Sequence, residues 1–119
     1  MIRKQSVIHT FKNAFSGVYY CIWHERNMKV HIGAMIVATF LSWWFALGKY
    51  EILILLLTIE GVLVAEMINT VVETLVDMIS PEFHPLAKIA KDIAAGTVLI
   101  TAIFSLVVGY MLFFSKIWG

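Results

Sequence analysis

Residues 93–114 carry no charged side chain, and a run of that length has few ways to fold. About 20 apolar residues in an α-helix cross the hydrocarbon of a bilayer, so the run reads as a membrane span. Two more stretches resemble it: residues 32–47 are uncharged, and 52–65 are apolar apart from Thr58, Glu60 and Gly61. The chain has 61 % hydrophobic residues and a mean hydropathy of +0.86, well above the level of a soluble globular protein. The expectation is an all-α membrane protein, with an amino-terminal amphipathic surface helix and three transmembrane helices.

The 119 residues make one domain. The surface helix and a polar knot, H-E-R-N-M-K, occupy 1–29. The spans are expected over 30–48, over 51–79 with a cytoplasmic extension, and over 85–115. In the first helix, expected from Ile2 to about His24, Val7, Ile8, Phe11, Ala14, Phe15, Val18, Tyr19 and Ile22 recur at helical spacing, while Arg3, Lys4, His9, Lys12, Asn13 and Ser16 lie mostly elsewhere. Such a stripe suits a membrane face, or packing on the protein itself. Trp43, Trp44 and Tyr50 mark the far interface, and G-K-Y-E over 48–51 reads as a tight turn between antiparallel spans. Ser80-Pro81 and His84-Pro85 interrupt the second long helix, and Pro85 can open the last. No cleavable signal pattern precedes the first helix, so the chain reads as mature. Cys21 is the single cysteine, which leaves no internal disulfide.

Basic residues orient the spans. With the amino terminus inside, Arg3, Lys4, Lys12, Arg26, Lys29, Lys88 and Lys91 are cytoplasmic, and Lys49 and Lys116 are outside, as the positive-inside rule requires. The net charge of +1 by itself says nothing about nucleic acid, since what matters is where the charges sit, and no nucleic-acid partner is expected.

Within 66–77, E-M-I-N-T-V-V-E-T-L-V-D, the polar side chains Glu66, Asn69, Glu73 and Asp77 stand at i, i+3, i+7 and i+11 and share one narrow helix face. Acids where an apolar segment is ending are costly unless a cation, a partner charge or water receives them. The stripe is therefore a candidate cation site, placed by the orientation at the cytoplasmic surface together with Glu25 and residues 88–92. Small residues, Ala34 and Ala38, Gly61 and Ala65, and Ala94-Ala95-Gly96, permit close helix approach. Three spans offer little interior, so shielding Glu66 and Asn69 from lipid calls for further copies of the chain, in a homo-oligomer with sites between subunits. No G-x-x-x-x-G-K-[ST] or G-x-G-x-x-G is present, and His9, His24 and His31 form no metal-ligand set.

The segments A-E-M-I-N-T-V-V-E-T-L-V-D (65–77) and P-E-F-H-P-L-A-K-I-A-K-D-I-A-A-G (81–96), with F-K-N-A-F-S-G (11–17) and H-E-R-N (24–27), resemble the bacterial diacylglycerol kinase and undecaprenol kinase family of small integral-membrane lipid kinases. The likeness covers nearly the whole chain. It implies a homotrimer of three-span subunits in the bacterial cytoplasmic (inner) membrane. Active sites would lie between subunits on the cytoplasmic face, where Mg²⁺-ATP gives its γ-phosphate to a membrane alcohol. F-H-P-L-A-K and H-E-R-N are closer to the undecaprenol kinase branch, which implies undecaprenol as acceptor and undecaprenyl phosphate, a carrier lipid for cell-wall assembly, as product. Diacylglycerol is the alternative.

By this resemblance Glu66 is the catalytic base that takes the acceptor's proton, and Glu66 and Asn69 meet the lipid substrate. Glu25 and Glu73 hold the metal. Asn13, Glu25, Glu73, Asp77, Glu82, Phe83, His84, Lys91 and Asp92 contact the nucleotide. The chemistry agrees, since Mg²⁺ is commonly held by one or two carboxylates and the phosphates themselves. Each residue also has a plainer reading. Glu25 can pair with Arg26 or Lys29, Asn69 can bridge helices, Asp77 can be a solvated acid, Lys88 and Asp92 can pair at i, i+4, and His84 can be a simple loop histidine. Glu60 departs from the family pattern, about 120° around the helix from Glu66. A different class of function, a small oligomeric channel or cation-binding membrane protein, explains the stripe but not Glu25 or the A-K-D segment.

Overall fold

A computed structural model describes residues 6–118. Ile2, Arg3 and Lys4 of the expected surface helix lie outside the described residues. The described chain is all-helical: α1 Val7–His24, α2 Arg26–Trp44, α3 Lys49–Ile79, α4 Pro85–Gly109, a π-helical turn Tyr110–Phe114 and α5 Ser115–Trp118.

Ser6 starts α1, its hydroxyl accepting from the His9 N–H at 3.2 Å. The apolar stripe of α1 stays open, with Ile8, Phe11, Phe15, Tyr19 and Trp23 all exposed and Cys21 its one buried residue. Apart from half-buried Ile22, most of the stripe is exposed within the protomer, which suits a bilayer surface. Glu25 alone separates α1 from α2: its backbone turns extended (φ −100°, ψ 119°) and its N–H closes α1 on the Cys21 carbonyl. The polar knot is thus mostly helical, and Arg26, Asn27 and Lys29 form the first turn of α2.

Residues 49–51 fall in the first turn of α3, and the connection from α2 lies at 45–48. The reason is a cap: Glu51 Oε1 accepts from the Gly48 N–H at 3.0 Å and also meets Lys116 Nζ at 3.0 Å. Ala46 turns the chain with a φ of +52°, a left-handed conformation that favours glycine. Ala46→Gly is accordingly expected to stabilise the fold by roughly 0.5 kcal/mol, the relief of left-handed strain outweighing glycine's extra freedom when unfolded. A raised unfolding temperature in detergent checks this; a lowered one rejects it.

With 31 residues, α3 is about 46 Å long at 1.5 Å per residue, more than the roughly 30 Å of hydrocarbon. It packs most extensively on α4. His84 caps α4, Nδ1 accepting from the Leu86 N–H at 3.1 Å, and Pro85 supplies the first residue, where no donor is needed. The continuous stretch Pro85–Trp118 has the length and hydropathy of a membrane span. A small core of Leu47, Leu55 and Leu112, joined by Phe45 and Phe113, closes the end of the bundle where α2 meets α3. The polar stripe lies at the other end.

Candidate active site

Because α3 is unbroken through 66–77, Glu66, Asn69, Glu73 and Asp77 occupy one face of it. Burial falls along the stripe: Glu66 and Asn69 are buried, Glu73 is half-buried and Asp77 is exposed. Asn69 Nδ2 donates to Glu73 Oε1 at 3.1 Å, linking two members one turn apart, while Asn69 Oδ1 is buried without a hydrogen bond.

Glu66 is the most enclosed polar residue, with 0 % exposure. Neither carboxylate oxygen receives a hydrogen bond. His31 Nε2 of α2 stands 3.3 Å from Oε2, within ion-pair distance but not aligned as a hydrogen-bond donor. Glu25, at the α1–α2 break, and Glu73, on α3, both act electrostatically on Glu66. Glu25 occupies the N-cap of α2, yet its side chain makes no capping bond. Among the described residues it forms no salt bridge with Arg26 or Lys29, and Lys29 Nζ instead lies 5.8 Å from the Trp23 ring centroid. That leaves the Glu25 carboxylate outside the surface pairing its neighbours could have offered.

No group of three or more His, Cys, Asp or Glu side chains that could hold a metal occurs among the described residues. Two carboxylates are nevertheless a suitable protein contribution for Mg²⁺, which keeps waters and takes phosphate oxygens for the rest of its shell. Glu25 and Glu73, both acting electrostatically on Glu66, are two carboxylates of that kind.

A second cluster forms where α3 ends and α4 begins. Asp77, Glu82, Phe83, His84, Lys91 and Asp92 line a cleft of about 370 Å³, within the range of small-molecule sites. Lys91 Nζ pairs with Asp77 Oδ1 across the two helices, and Lys88 pairs with Asp92 at 2.7 Å within α4. The phosphate-ligand candidate and a plain i, i+4 pair therefore coexist on adjacent residues. Phe83 is 80 % exposed, its ring open on the loop. Asn13 sits on exposed α1 and is not among the residues that line this cleft.

A further cleft, of about 160 Å³ and largely apolar, runs between α2, α3 and α4, with His31 among its walls and Ala38, Val62, Leu106 and Phe113 farther along. His31 is the candidate site residue, beside Glu66, that sequence reasoning missed. The available signal was a histidine at the edge of an uncharged helical run, where a titratable side chain calls for a partner. Cys21, also close to Glu25 and Glu66, is buried, and burial pushes its thiol up, which makes it a poor nucleophile.

Comparison with known proteins places these features in a family. The family described as prokaryotic diacylglycerol kinase matches residues 12–113. An undecaprenol kinase from Bacillus subtilis (strain 168) is 35 % identical over 108 residues, covering 91 % of this chain and 88 % of the relative. A diacylglycerol kinase from Synechocystis sp. is 34 % identical over 105 residues, covering 87 % of this chain and 60 % of its own length. A diacylglycerol kinase from Escherichia coli (strain K12) is 28 % identical over 82 residues, covering 69 % and 67 %. A match along most of the chain, together with an all-helical fold containing an apolar span, makes this protein a member of the prokaryotic diacylglycerol kinase family and a membrane lipid kinase.

Proposed function

We propose that this chain transfers the γ-phosphate of Mg²⁺-ATP to undecaprenol, giving undecaprenyl phosphate and ADP, at the cytoplasmic face of a bacterial inner membrane. The observation that carries the reading is the position of Glu66. It is a buried carboxylate without hydrogen bonds, near two further acids, and its neighbour His31 lines an apolar cleft.

In this mechanism the acceptor hydroxyl reaches the Glu66 region from the apolar side. Its oxygen forms a bond to Pγ as the bond from Pγ to the β,γ-bridging oxygen breaks, and its proton passes to the Glu66 carboxylate. Asn69, with an unused buried Oδ1 and an Nδ2 already on Glu73, orients groups between the base and the metal-binding acids. Glu25 and Glu73 would hold Mg²⁺, which when bound neutralises phosphate charge. Lys91 steadies a phosphate, with Asp77 as its partner before nucleotide arrives. Phe83 offers an aromatic face to the base, and Glu82, His84 and Asp92 line the same cleft.

The membrane arrangement belongs to the same proposal. α2, α3 and α4 are three spans, α3 projecting into the cytoplasm, and the chain works as a homotrimer with sites between copies. Exposed Leu53, Leu57, Val64 and Ile68 on α3 support this, since exposed Glu60 shares their region of the helix and a mid-span carboxylate facing lipid is costly.

The Bacillus relative and the F-H-P-L-A-K and H-E-R-N segments favour undecaprenol. Relatives named diacylglycerol kinase keep diacylglycerol as the second reading. Purified chain in micelles, given γ-labelled ATP, Mg²⁺ and either alcohol, is expected to show at least about a tenfold higher kcat/KM for undecaprenol, which corresponds to about 1.4 kcal/mol. A reversed preference assigns diacylglycerol, and no labelled lipid from either rejects the kinase mechanism.

A further inference from the structure

We infer that His31 is the positioning residue for Glu66, holding one carboxylate oxygen so that the other is presented to the acceptor hydroxyl. The inference rests on the reading of Glu66 as the base. Glu66 stands on α3 with no exposure, and nothing on its own helix hydrogen-bonds its side chain. Such a carboxylate is free to turn about its terminal torsion, which is broad rather than fixed in a staggered well. A base with an undirected oxygen is a poor one, because proton transfer requires hydrogen-bond distance and aim.

Among the groups that bear on Glu66, Glu25 and Glu73 repel it, and Cys21 of α1 is a buried neutral thiol. His31 of α2 is the one that attracts it, its Nε2 at 3.3 Å from Oε2. At that distance an Nε2–H is within reach of Oε2. The His31 side chain is 18 % exposed where that of Glu66 is 0 %, and His31 lines the apolar cleft while Glu66 does not. The imidazole therefore has one edge on the carboxylate and a surface on the cleft. Holding Oε2 leaves Oε1 as the oxygen that accepts the proton.

The test uses the full-length chain in micelles with undecaprenol and Mg²⁺-ATP. His31→Leu, which keeps bulk and removes the donor, is expected to lower kcat about 30-fold with KM for ATP within twofold. His31→Gln, whose amide nitrogen can stand near the position of Nε2, is expected to recover at least a third of the wild-type kcat. His31→Asn, whose amide stops short of Glu66, is expected to behave like His31→Leu, and it carries the test should the leucine variant not fold. In a Glu66→Gln background His31→Leu is expected to cost no more than a further twofold. A His31→Leu or His31→Asn enzyme within threefold of wild-type kcat, a loss confined to KM for ATP, or a Gln variant no better than Leu overturns the inference while leaving Glu66 in place. Wild-type turnover by Glu66→Gln instead overturns the underlying reading, and the positioning role with it.

Discussion

Glu66→Gln is expected to lower kcat by about 10³-fold while leaving KM for ATP nearly unchanged, the magnitude typical of losing a general base. The substitution keeps shape and removes the charge, so the lost function is the ability to take a proton. Stability separates this effect from unfolding. A buried carboxylate without hydrogen bonds opposes folding, and a neutral amide in its place carries a smaller desolvation cost. The variant is therefore expected to unfold at the same or a higher temperature than the wild type. Loss of activity without loss of stability is the signature of a catalytic acid kept at a structural cost. Turnover within tenfold of wild type removes Glu66 from the role of base.

Glu73→Gln is expected to lower kcat/KM about 100-fold at low Mg²⁺ and to raise the half-saturating Mg²⁺ concentration about tenfold. Glutamine retains a side-chain oxygen that can accept from Asn69 Nδ2, so the contact within α3 survives and the variant isolates the charge. Glu25→Gln is expected to shift the Mg²⁺ requirement in the same direction, and the double variant to fall short of the sum, because two ligands of one ion do not act independently. Initial rates across a Mg²⁺ series at fixed ATP are the measurement. An unchanged Mg²⁺ requirement in both single variants reassigns these acids to structure.

The two effects separate along α3 as burial does. Glu66, enclosed and beside the cleft-lining His31, is proposed to act in the chemical step; Glu73, half-buried and nearer the polar end, is proposed to act on the charge that accompanies the nucleotide. On this proposal a stripe of similar residue types takes different tasks because the protein around it changes over three turns of helix.

Much of this arrangement was legible in the amino-acid order. The spacing of Glu66, Asn69, Glu73 and Asp77 required one helical face, and α3 runs unbroken through it. Pro81, His84 and Pro85 required a break, and α4 opens at Pro85 on a His84 cap. The turn at 48–51 was misread because glycine, lysine and glutamate look like loop residues until Glu51 is seen to cap its own helix through the Gly48 N–H. The surface helix leaves two compatible readings, and within the protomer Phe11, Phe15 and Tyr19 of its stripe are exposed.

What the sequence determined by itself is local: helix ends, the polar face of α3, and the end of the bundle where basic and acidic residues collect. These follow from a repeat of 3.6 residues and from the cost of placing charge in hydrocarbon. Only the tertiary structure decided that His31 faces Glu66, that Asp77 meets Lys91, and that the α3–α4 loop closes a cleft around both. Those juxtapositions depend on the rotation and register of helices packed through leucine, valine and alanine. Such surfaces accept many registers at similar energy, so the partner of a buried acid is set by the assembled bundle and by no pattern within a single segment.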